Sequence, residues 1–243
     1  MTERQRADRL LVERGVFESR ARAQAAIAAG RVTADGLPVR KPSEEISTAA
    51  AIEAAPAHPY VSRGGLKLAA ALEHFHLDVA GRLCLDVGAS TGGFTQVLHE
   101  RGARLIYAVD VGRDQLHRAL RGQPAIVSLE ETDIRALDPQ HLAEPPDFAT
   151  VDVSFISLKL VLPAIGTLMA PRATLLALIK PQFETERRNS KKGIVRDPAI
   201  RAAVCDDIAA FLAARQWRVR GLMPSPIPGG DGNREFFVEA ERG

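Results

Sequence analysis

The sequence has few of the residues that mark a metal centre. It contains two cysteines, Cys84 and Cys205, and six histidines that do not cluster with them. Cys84 falls in an apolar segment, which predicts a buried thiol. Cysteine and histidine spacings typical of metal ligands are missing. We therefore expect a protein that binds no metal.

Long apolar runs are also missing. The longest apolar region, 158–179, is interrupted by four residues: Lys159, Pro163, Pro171 and Arg172. We do not expect this region to span a membrane. The first residues, Met1-Thr-Glu-Arg-Gln-Arg, lack the apolar core of a signal peptide. These absences predict a soluble, cytoplasmic protein, which we expect to be a monomer.

Charge is distributed unevenly along the chain. The net charge is only +2, yet Lys and Arg outnumber Asp and Glu between Met1 and Pro42. A second basic segment contains no acid and has four cations: Arg187, Arg188, Lys191 and Lys192. Two local basic segments on a nearly neutral chain predict an anionic partner.

A glycine-rich turn follows the apolar segment Leu83 to Val87. Small residues from Gly88 to Gly93 lead into a helical pattern, Phe94 to Arg101. Glycine has no Cβ, so such a turn lets a ligand approach the backbone. The glycine spacing is not G-x-G-x-x-G, and no Gly-Lys-Ser or Gly-Lys-Thr ends the turn. A packing turn without a ligand remains the alternative.

This turn resembles the first motif of the S-adenosylmethionine methyltransferases. The resemblance implies S-adenosylmethionine as cofactor. The residues of the motif that we expect to bind it are Asp86, Gly88, Ala89, Ser90, Gly92, Gly93, Phe94 and Thr95.

Further acids follow predicted strands, where ligands bind in a parallel sheet. Asp110, next to Val111, is predicted to accept hydrogen bonds from a ribose diol. Asp133 is predicted to accept a hydrogen bond from the adenine amino group, with Ile134 against the ring. Asp152 follows a fourth strand. A helix cap is the alternative for any one of these acids.

After Tyr60 the pattern alternates strands and helices. The strands are predicted near 83–87, 105–109, 125–129, 147–152, 174–179, 217–223 and 235–240. The helices are predicted near 65–76, 94–101, 114–120, 156–169 and 198–215. This alternation predicts a seven-stranded, mostly parallel sheet with helices on both faces. Together with the resemblance of the glycine turn, it implies a Rossmann-like α/β methyltransferase fold.

The amino-terminal segment predicts a small α+β domain. Residues Arg9 to Arg14 read as a helix, Ser19 and Gly30 are typical of the start and end of a second, and Asp35-Gly36 of a hairpin. Its residues resemble the S-four-type (alpha-L) RNA-binding domain, most clearly Asp8, Ser19-Arg20, Gly30-Arg31-Val32, Asp35-Gly36 and Lys41-Pro42. The resemblance implies contacts with RNA phosphates by Arg6, Arg20, Arg22, Arg31 and Lys41. A solvated basic face is the alternative. We expect this domain at 1–55, a linker at 56–61 and the methyltransferase domain at 62–243.

Nearly the whole chain resembles the TlyA family of ribosomal RNA 2′-O-methyltransferases, whose catalytic domain is similar to the FtsJ (RrmJ) type. The matching motifs are Val61 to Gly65, Asp86 to Thr95, Asp152 to Ser157, Lys180 to Glu184 and Gly232 to Phe236. The resemblance implies a catalytic tetrad of Lys67, Asp152, Lys180 and Glu235, in which Lys180 orients the acceptor hydroxyl or takes its proton. It also implies ribosomal RNA as partner, a cytidine as target and, from the short form of the chain, the large-subunit 23S RNA.

Other cations are expected to contact RNA, namely Arg63 and the four of the segment 187–192. Phe94, Phe155 and Phe183 follow the motifs and are expected to lie in the core rather than to stack on bases.

Alternatives to ribose methylation remain. A base-amino methyltransferase would use Asp152-Val-Ser-Phe155 as its motif, but the two prolines typical of that motif are missing and the lysines would have no role. A pseudouridine synthase would share the small domain without using the glycine turn. A membrane-active protein is a different class, because TlyA relatives carry the label haemolysin. The last alternative is a module that binds RNA without modifying it.

Overall fold

The computed structural model describes residues 3–186, 190 and 193–243. The chain divides into two compact units, Met1–Pro59 and Tyr60–Gly243. The predicted RNA contacts Arg187, Arg188, Lys191 and Lys192 lie outside the described residues.

The first unit packs two helices against short strands. The helices are α1 (Ala7–Glu13) and α2 (Arg20–Ala28). The strands are β1 (Arg4–Arg6), β2 (Val32–Ala34), β3 (Leu37–Pro38), β4 (Glu45–Ser47) and β5 (Ile52–Ala54). β1 pairs with β4, and β3, β2 and β5 form a second small sheet in that order.

Local sequence signals explain how this unit folds. The Ser19 hydroxyl accepts a hydrogen bond from the Arg22 backbone N–H at 3.3 Å, which caps α2. Gly36 adopts a φ of 76° in the turn between β2 and β3, a conformation that glycine adopts without strain. Leu11, Ile27 and Val32 are among the buried core residues.

The second unit is built on a seven-stranded sheet. Its strands are β6 (Leu83–Val87), β7 (Leu105–Val109), β8 (Ile126–Leu129), β9 (Phe148–Val151), β10 (Ala173–Ile179), β11 (Arg218–Pro224) and β12 (Phe236–Arg242). Its helices are α3 (Gly64–His74), α4 (Gly93–Glu100), α5 (Leu158–Leu168), α6 (Pro181–Glu184) and α7 (Pro198–Ala213). The strand order is β11-β12-β10-β9-β6-β7-β8.

The sheet is parallel from β10 to β8, and β12 joins it antiparallel beside β10. Alternate residues of the strands serve the two faces. Leu85 and Val87 pack in the cluster that includes α5 and α7, whereas Cys84 packs in the cluster that includes α3 and α4. Every residue of β10 is buried, so this strand is covered on both faces. The predicted fold class is confirmed.

One predicted helix, 114–120, is wrong. Asp114 has a φ of 53°, outside the helical region. The backbone N–H groups of Gln115 and Leu116 donate to the Glu130 carboxylate at 2.6 and 3.0 Å. The side chains of Leu116 and Leu120 are buried. The apolar spacing of this segment therefore reflects packing by an irregular turn.

Candidate active site

The glycine turn after β6 packs directly on the backbone that follows β9. Gly88 has a φ of 82°, and a Cβ there would lie 2.6 Å from the Asp152 carbonyl oxygen. A side chain at this position would push the two segments apart. Gly88 therefore brings the ends of β6 and β9 into contact at the carboxyl edge of the sheet.

Asp86 lies beneath this turn, and its side chain is fully buried. Its carboxylate accepts hydrogen bonds from the hydroxyls of Thr95, at 2.6 Å, and Thr150, at 2.9 Å. Complete burial raises its pKa to about 6, against the opposing effect of these hydrogen bonds. The hydrogen bonds of Asp86, which like Thr95 is predicted to contact the cofactor, join β6, β9 and α4 to each other.

The other residues of the glycine turn that are predicted to contact the cofactor fall into two groups. Most of them line a cavity, and one packs against a neighbouring side chain. Ala89, Ser90, Gly93 and Phe94 line a cavity, although Phe94 is buried and its ring stacks 6.1 Å from that of Phe237. Gly92, with a φ of 92°, precedes α4, and a Cβ there would meet the Leu120 side chain at 2.4 Å. Gly92 thus lets the Leu120 side chain pack directly against the turn.

Two adjoining cavities open at this edge of the sheet. The larger, about 450 Å³, has apolar walls that include Val109, Val111 and Ile134 and also contains Asp110 and Asp133. Its volume lies within the range of small-molecule sites, roughly 300–1,000 Å³. The smaller polar cavity, about 240 Å³, is lined by residues that include Ser62, Arg63, Lys67 and Gly93. Both cavities border Gly88, Ser90 and Asp152.

Backbone contacts fix the Asp110 carboxylate in the larger cavity. It accepts hydrogen bonds from the backbone N–H of Ser90, at 2.8 Å, and of Gly112, at 2.7 Å. Each carboxylate oxygen has a second lone pair, so the group can still accept from a diol.

The Asp133 carboxylate, unlike that of Asp110, is paired with a cation of its own turn. It accepts from the Arg135 backbone N–H at 2.9 Å and forms an ion pair with the Arg135 guanidinium at 2.6 Å. These contacts lower its pKa. A ligand amino group would compete with Arg135 for this carboxylate, and Ile134 beside it is buried.

The four residues of the predicted tetrad form two buried ion pairs. Lys67 Nζ on α3 donates to Glu235 Oε2 at 2.5 Å, and Lys180 Nζ lies 2.6 Å from Asp152 Oδ1. Lys67, Lys180 and Glu235 are only 7%, 8% and 4% exposed. Burying charges costs free energy unless they are paired, and here each ammonium has a carboxylate.

A further contact was missed by the sequence analysis. Lys180 Nζ donates to the Ser154 hydroxyl at 2.8 Å, and Ser154 lines the larger cavity. Ser154 and Asp152 together fix the ammonium from two sides. The signal in the sequence is the motif beginning at Asp152, which contains this serine two residues after the acid.

Phe155 contradicts the expectation of a core residue. Its side chain is 91% exposed and lines the larger cavity, and its ring lies 5.1 Å from that of Phe183. Its φ is 65°, a left-handed conformation that is a genuine outlier for a bulky residue. Strain of this kind concentrates at functional sites.

The predicted RNA contacts of the first unit fall into two groups. Arg6 and Arg20 form ion pairs with the fully buried Asp8, at 3.0 and 2.7 Å, and hold its pKa well below the usual range. Arg22 pairs with Glu18 at 3.3 Å. Arg31 and Lys41 are exposed, and neither forms an ion pair with another described residue.

The described residues hold neither a cluster of metal ligands nor a helix able to span a membrane. Within residues 3–186, 190 and 193–243, no three His, Cys, Asp or Glu side chains are grouped as a metal site requires. None of the helices in that part of the chain is both long and apolar enough to cross a membrane.

Comparison with known proteins gives matches to both units. Residues 60–242 match the FtsJ-like methyltransferase family, and residues 5–52 match the S4 domain. Bacillus subtilis YqxC is 45% identical, over 98% of this chain and 85% of its own length. The 16S/23S rRNA (cytidine-2′-O)-methyltransferase TlyA of Mycobacterium tuberculosis is 44% identical, over 98% of this chain and 90% of its own length. A solved structure from Streptococcus thermophilus, named as a hemolysin, is 41% identical with a TM-score of 0.78, covering 100% of this chain and 90% of its own.

Proposed function

The chain belongs to the FtsJ-like methyltransferase family and carries an amino-terminal S4 domain, and we propose that it methylates a ribose 2′-hydroxyl of ribosomal RNA. The observation that supports this most strongly is the contact of Lys180 with Asp152 and Ser154, both of which line the larger cavity. Lys67, paired with Glu235, lines the adjoining polar cavity, which Asp152 also borders. A lysine ammonium held by a carboxylate and a hydroxyl suits an oxygen acceptor.

The residues of the larger cavity fit S-adenosylmethionine. Val109 and Ile134 offer apolar surface to a purine ring, and Asp110 offers acceptors to a ribose diol. Gly88 borders both cavities, where they adjoin. When bound, S-adenosylmethionine supplies the methyl group.

The Lys180 side chain is suited to orient the acceptor and to handle its proton. The hydroxyl oxygen must lose its proton as it bonds to the methyl carbon. In its neutral form Lys180 can accept that proton, and in its ammonium form it can donate a hydrogen bond that fixes the oxygen. Asp152 and Ser154 restrict the position of Nζ, so the oxygen is presented in one geometry.

Lys67 and Glu235 add a second ion pair to the site, with a cation at the polar cavity. Lys67 lines the polar cavity, which also borders Asp152. A cation there stabilises the negative charge that develops on the attacking oxygen. Glu235 holds Lys67 in place through the 2.5 Å hydrogen bond.

Phe155 and Arg63 supply contacts for a nucleotide. The exposed ring of Phe155 can stack on an unpaired base, a contact worth about 1–3 kcal/mol. The exposed Arg63 lines the polar cavity, where it can pair with a phosphate. An aromatic ring at the larger cavity and a guanidinium at the polar cavity suit a flipped nucleotide.

Ribosomal RNA as the polymer is supported by the relatives and by the S4 domain. The Mycobacterium tuberculosis relative is named for a cytidine of both 16S and 23S RNA. We propose a cytidine target for this chain, with large-subunit RNA as the expected substrate, and action in the cytoplasm, where ribosomal RNA is found.

The test is methyl transfer from tritiated S-adenosylmethionine to 50S subunits, 30S subunits and free ribosomal RNA. Alkali cannot cleave RNA after a 2′-O-methylated ribose, so we expect the label in an alkali-resistant dinucleotide from the 50S particle. Label released in a mononucleotide would show base methylation and contradict the proposal. Label from the 30S particle would correct only the choice of subunit.

A further inference from the structure

A single amide side chain organises the turn that precedes Glu235. Asn233 is 1% exposed. Its Oδ1 accepts from the Val195 backbone N–H at 2.9 Å, and its Nδ2 donates to the Gly193 carbonyl at 2.9 Å and to Asp231 Oδ2 at 2.7 Å. Both N–H groups and the carbonyl of this buried amide are therefore used.

The same residue closes the turn through its backbone. The Asn233 carbonyl accepts from the Gly229 N–H at 2.9 Å, and the Asn233 N–H donates to Asp231 Oδ1 at 3.0 Å. The chain from Gly229 to Asn233 is thus held as one unit. This turn ends two residues before Glu235, so its position determines the position of the Glu235 backbone.

This turn lies against the Glu235 carboxylate. A Cβ on Gly229 would come within 2.5 Å of Glu235 Oε1. The turn also reaches α6, because the Gln182 amide donates to Asp231 Oδ2 at 3.2 Å. Gln182 comes two residues after Lys180. The Asn233 turn consequently touches segments that carry one member of each ion pair.

We propose that Asn233 is a positioning residue, which holds the Glu235 carboxylate against Lys67 by fixing the turn 229–233 to the backbone at Gly193–Val195. This inference rests on the proposed function. Alanine at position 233 would remove the three side-chain hydrogen bonds. Aspartate would lose both Nδ2 donations, to Gly193 and to Asp231, and would place a negative charge beside Asp231.

The experiment combines Asn233→Ala and Gly229→Ala with Glu235→Ala. Gly229→Ala disturbs Glu235 directly, because its Cβ would meet Oε1, and serves if Asn233→Ala does not fold. The measurements are the single-turnover rate of methyl transfer to ribosomal RNA, the dissociation constant for S-adenosylmethionine and thermal unfolding. We expect each single variant to slow transfer by about 10–100-fold, because small displacements at a reaction centre have effects of that size. The cofactor dissociation constant should stay within about twofold.

The decisive comparison is in the Glu235→Ala background. If Asn233 acts through Glu235, adding Asn233→Ala or Gly229→Ala to Glu235→Ala should slow transfer no further. Asp138→Ala removes a remote side-chain cap, a 2.8 Å hydrogen bond to Gln140, and controls for loss of stability alone. It should lower the unfolding temperature without slowing transfer.

Two results would overturn the inference. One is full transfer rate in the folded single variants, and the other is a multiplied loss in the Glu235→Ala background. If Glu235→Ala itself transfers at the full rate, the proposed catalytic arrangement fails as well. A slow Glu235→Ala with a multiplied loss overturns the role of Asn233 alone.

Discussion

Phe155 combines a left-handed backbone, with a φ of 65°, and a ring that is 91% exposed. The conformation costs about 1–2 kcal/mol for a residue with a Cβ. An exposed ring recovers little of that cost through burial. We infer that the residue is retained for what the ring contacts when RNA binds.

Replacing Phe155 with glycine should separate stability from activity. Glycine adopts this φ without strain, so the free energy of unfolding should rise by about 1 kcal/mol. The specificity constant for ribosomal RNA should fall by about tenfold, because a stacking contact is lost. Denaturant unfolding and methyl-transfer kinetics measure the two quantities. Phe155→Tyr keeps both the strain and the ring and should resemble the parent chain. Glycine variants with full activity would contradict the stacking role.

The sequence could identify many residues of the site but not where their side chains point. Lys67, Asp152, Lys180 and Glu235 lie far apart in the chain, and the structure brings them into two ion pairs. The contact of Lys180 with Ser154 depends on how the ends of two strands lie next to each other, which no local pattern encodes. Asp86 faces Thr95 because alternate strand residues face opposite sides of the sheet.

At the scale of elements, β12 carries an acid in an apolar setting. Glu239 is buried, and its Oε1 has no hydrogen-bond partner among the described residues. Burial raises its pKa to about 7; Glu241 adds to this effect, and Arg220 and Arg218 oppose it. Its charge therefore costs stability once it ionises.

Glu239→Gln should make the stability less dependent on pH. Between pH 4.5 and 7 the unfolded parent loses its proton while the folded parent keeps it, so the stability of the parent falls as the pH rises. The variant lacks this loss. We expect it to be more stable than the parent by about 1–3 kcal/mol at pH 8 and by much less at pH 5. Denaturant unfolding at both pH values tests this. An equal difference at the two pH values would show that Glu239 does not titrate in this range.

Regular elements could be predicted where a short segment is mostly apolar. β10 and β6 are such segments, every residue of both is buried, and both strands lie where they were expected. The turn around Gln115 and Leu116 gave the wrong signal. Its backbone N–H groups are satisfied by Glu130, fourteen or more residues away, a long-range contact that replaces helical hydrogen bonds.

At the scale of the whole molecule, two units divide the work of the proposed function. The catalytic unit holds both cavities and both ion pairs. The S4 unit holds exposed cations, Arg31 and Lys41, besides arginines that are paired with Asp8. Substitutions in the S4 unit should therefore lower the affinity for RNA without changing the catalytic site.

The double variant Arg31→Gln and Lys41→Gln should weaken RNA binding alone. Each lost phosphate contact should reduce the salt dependence of binding by about one counterion. We expect the dissociation constant for ribosomal RNA to rise by about tenfold, with cofactor affinity unchanged. Filter binding at several salt concentrations and calorimetry measure these quantities. Arg104→Gln changes the charge of an exposed, Glu144-paired arginine in the other unit and should leave RNA affinity unaltered. An unchanged salt slope in the double variant would exclude phosphate contacts by these residues.

The central claim is that Lys180, fixed by Asp152 and Ser154, serves the acceptor hydroxyl. Its most direct test is the single-turnover rate of tritiated methyl transfer to ribosomal RNA by Lys180→Ala, with cofactor binding measured on the same preparation. Lys159→Ala removes a lysine on α5 that pairs with Asp207 and provides the matched control. We predict that Lys180→Ala slows transfer by at least about 100-fold while both variants bind S-adenosylmethionine as the parent does. Transfer by Lys180→Ala at the rate of the Lys159→Ala control would contradict the account.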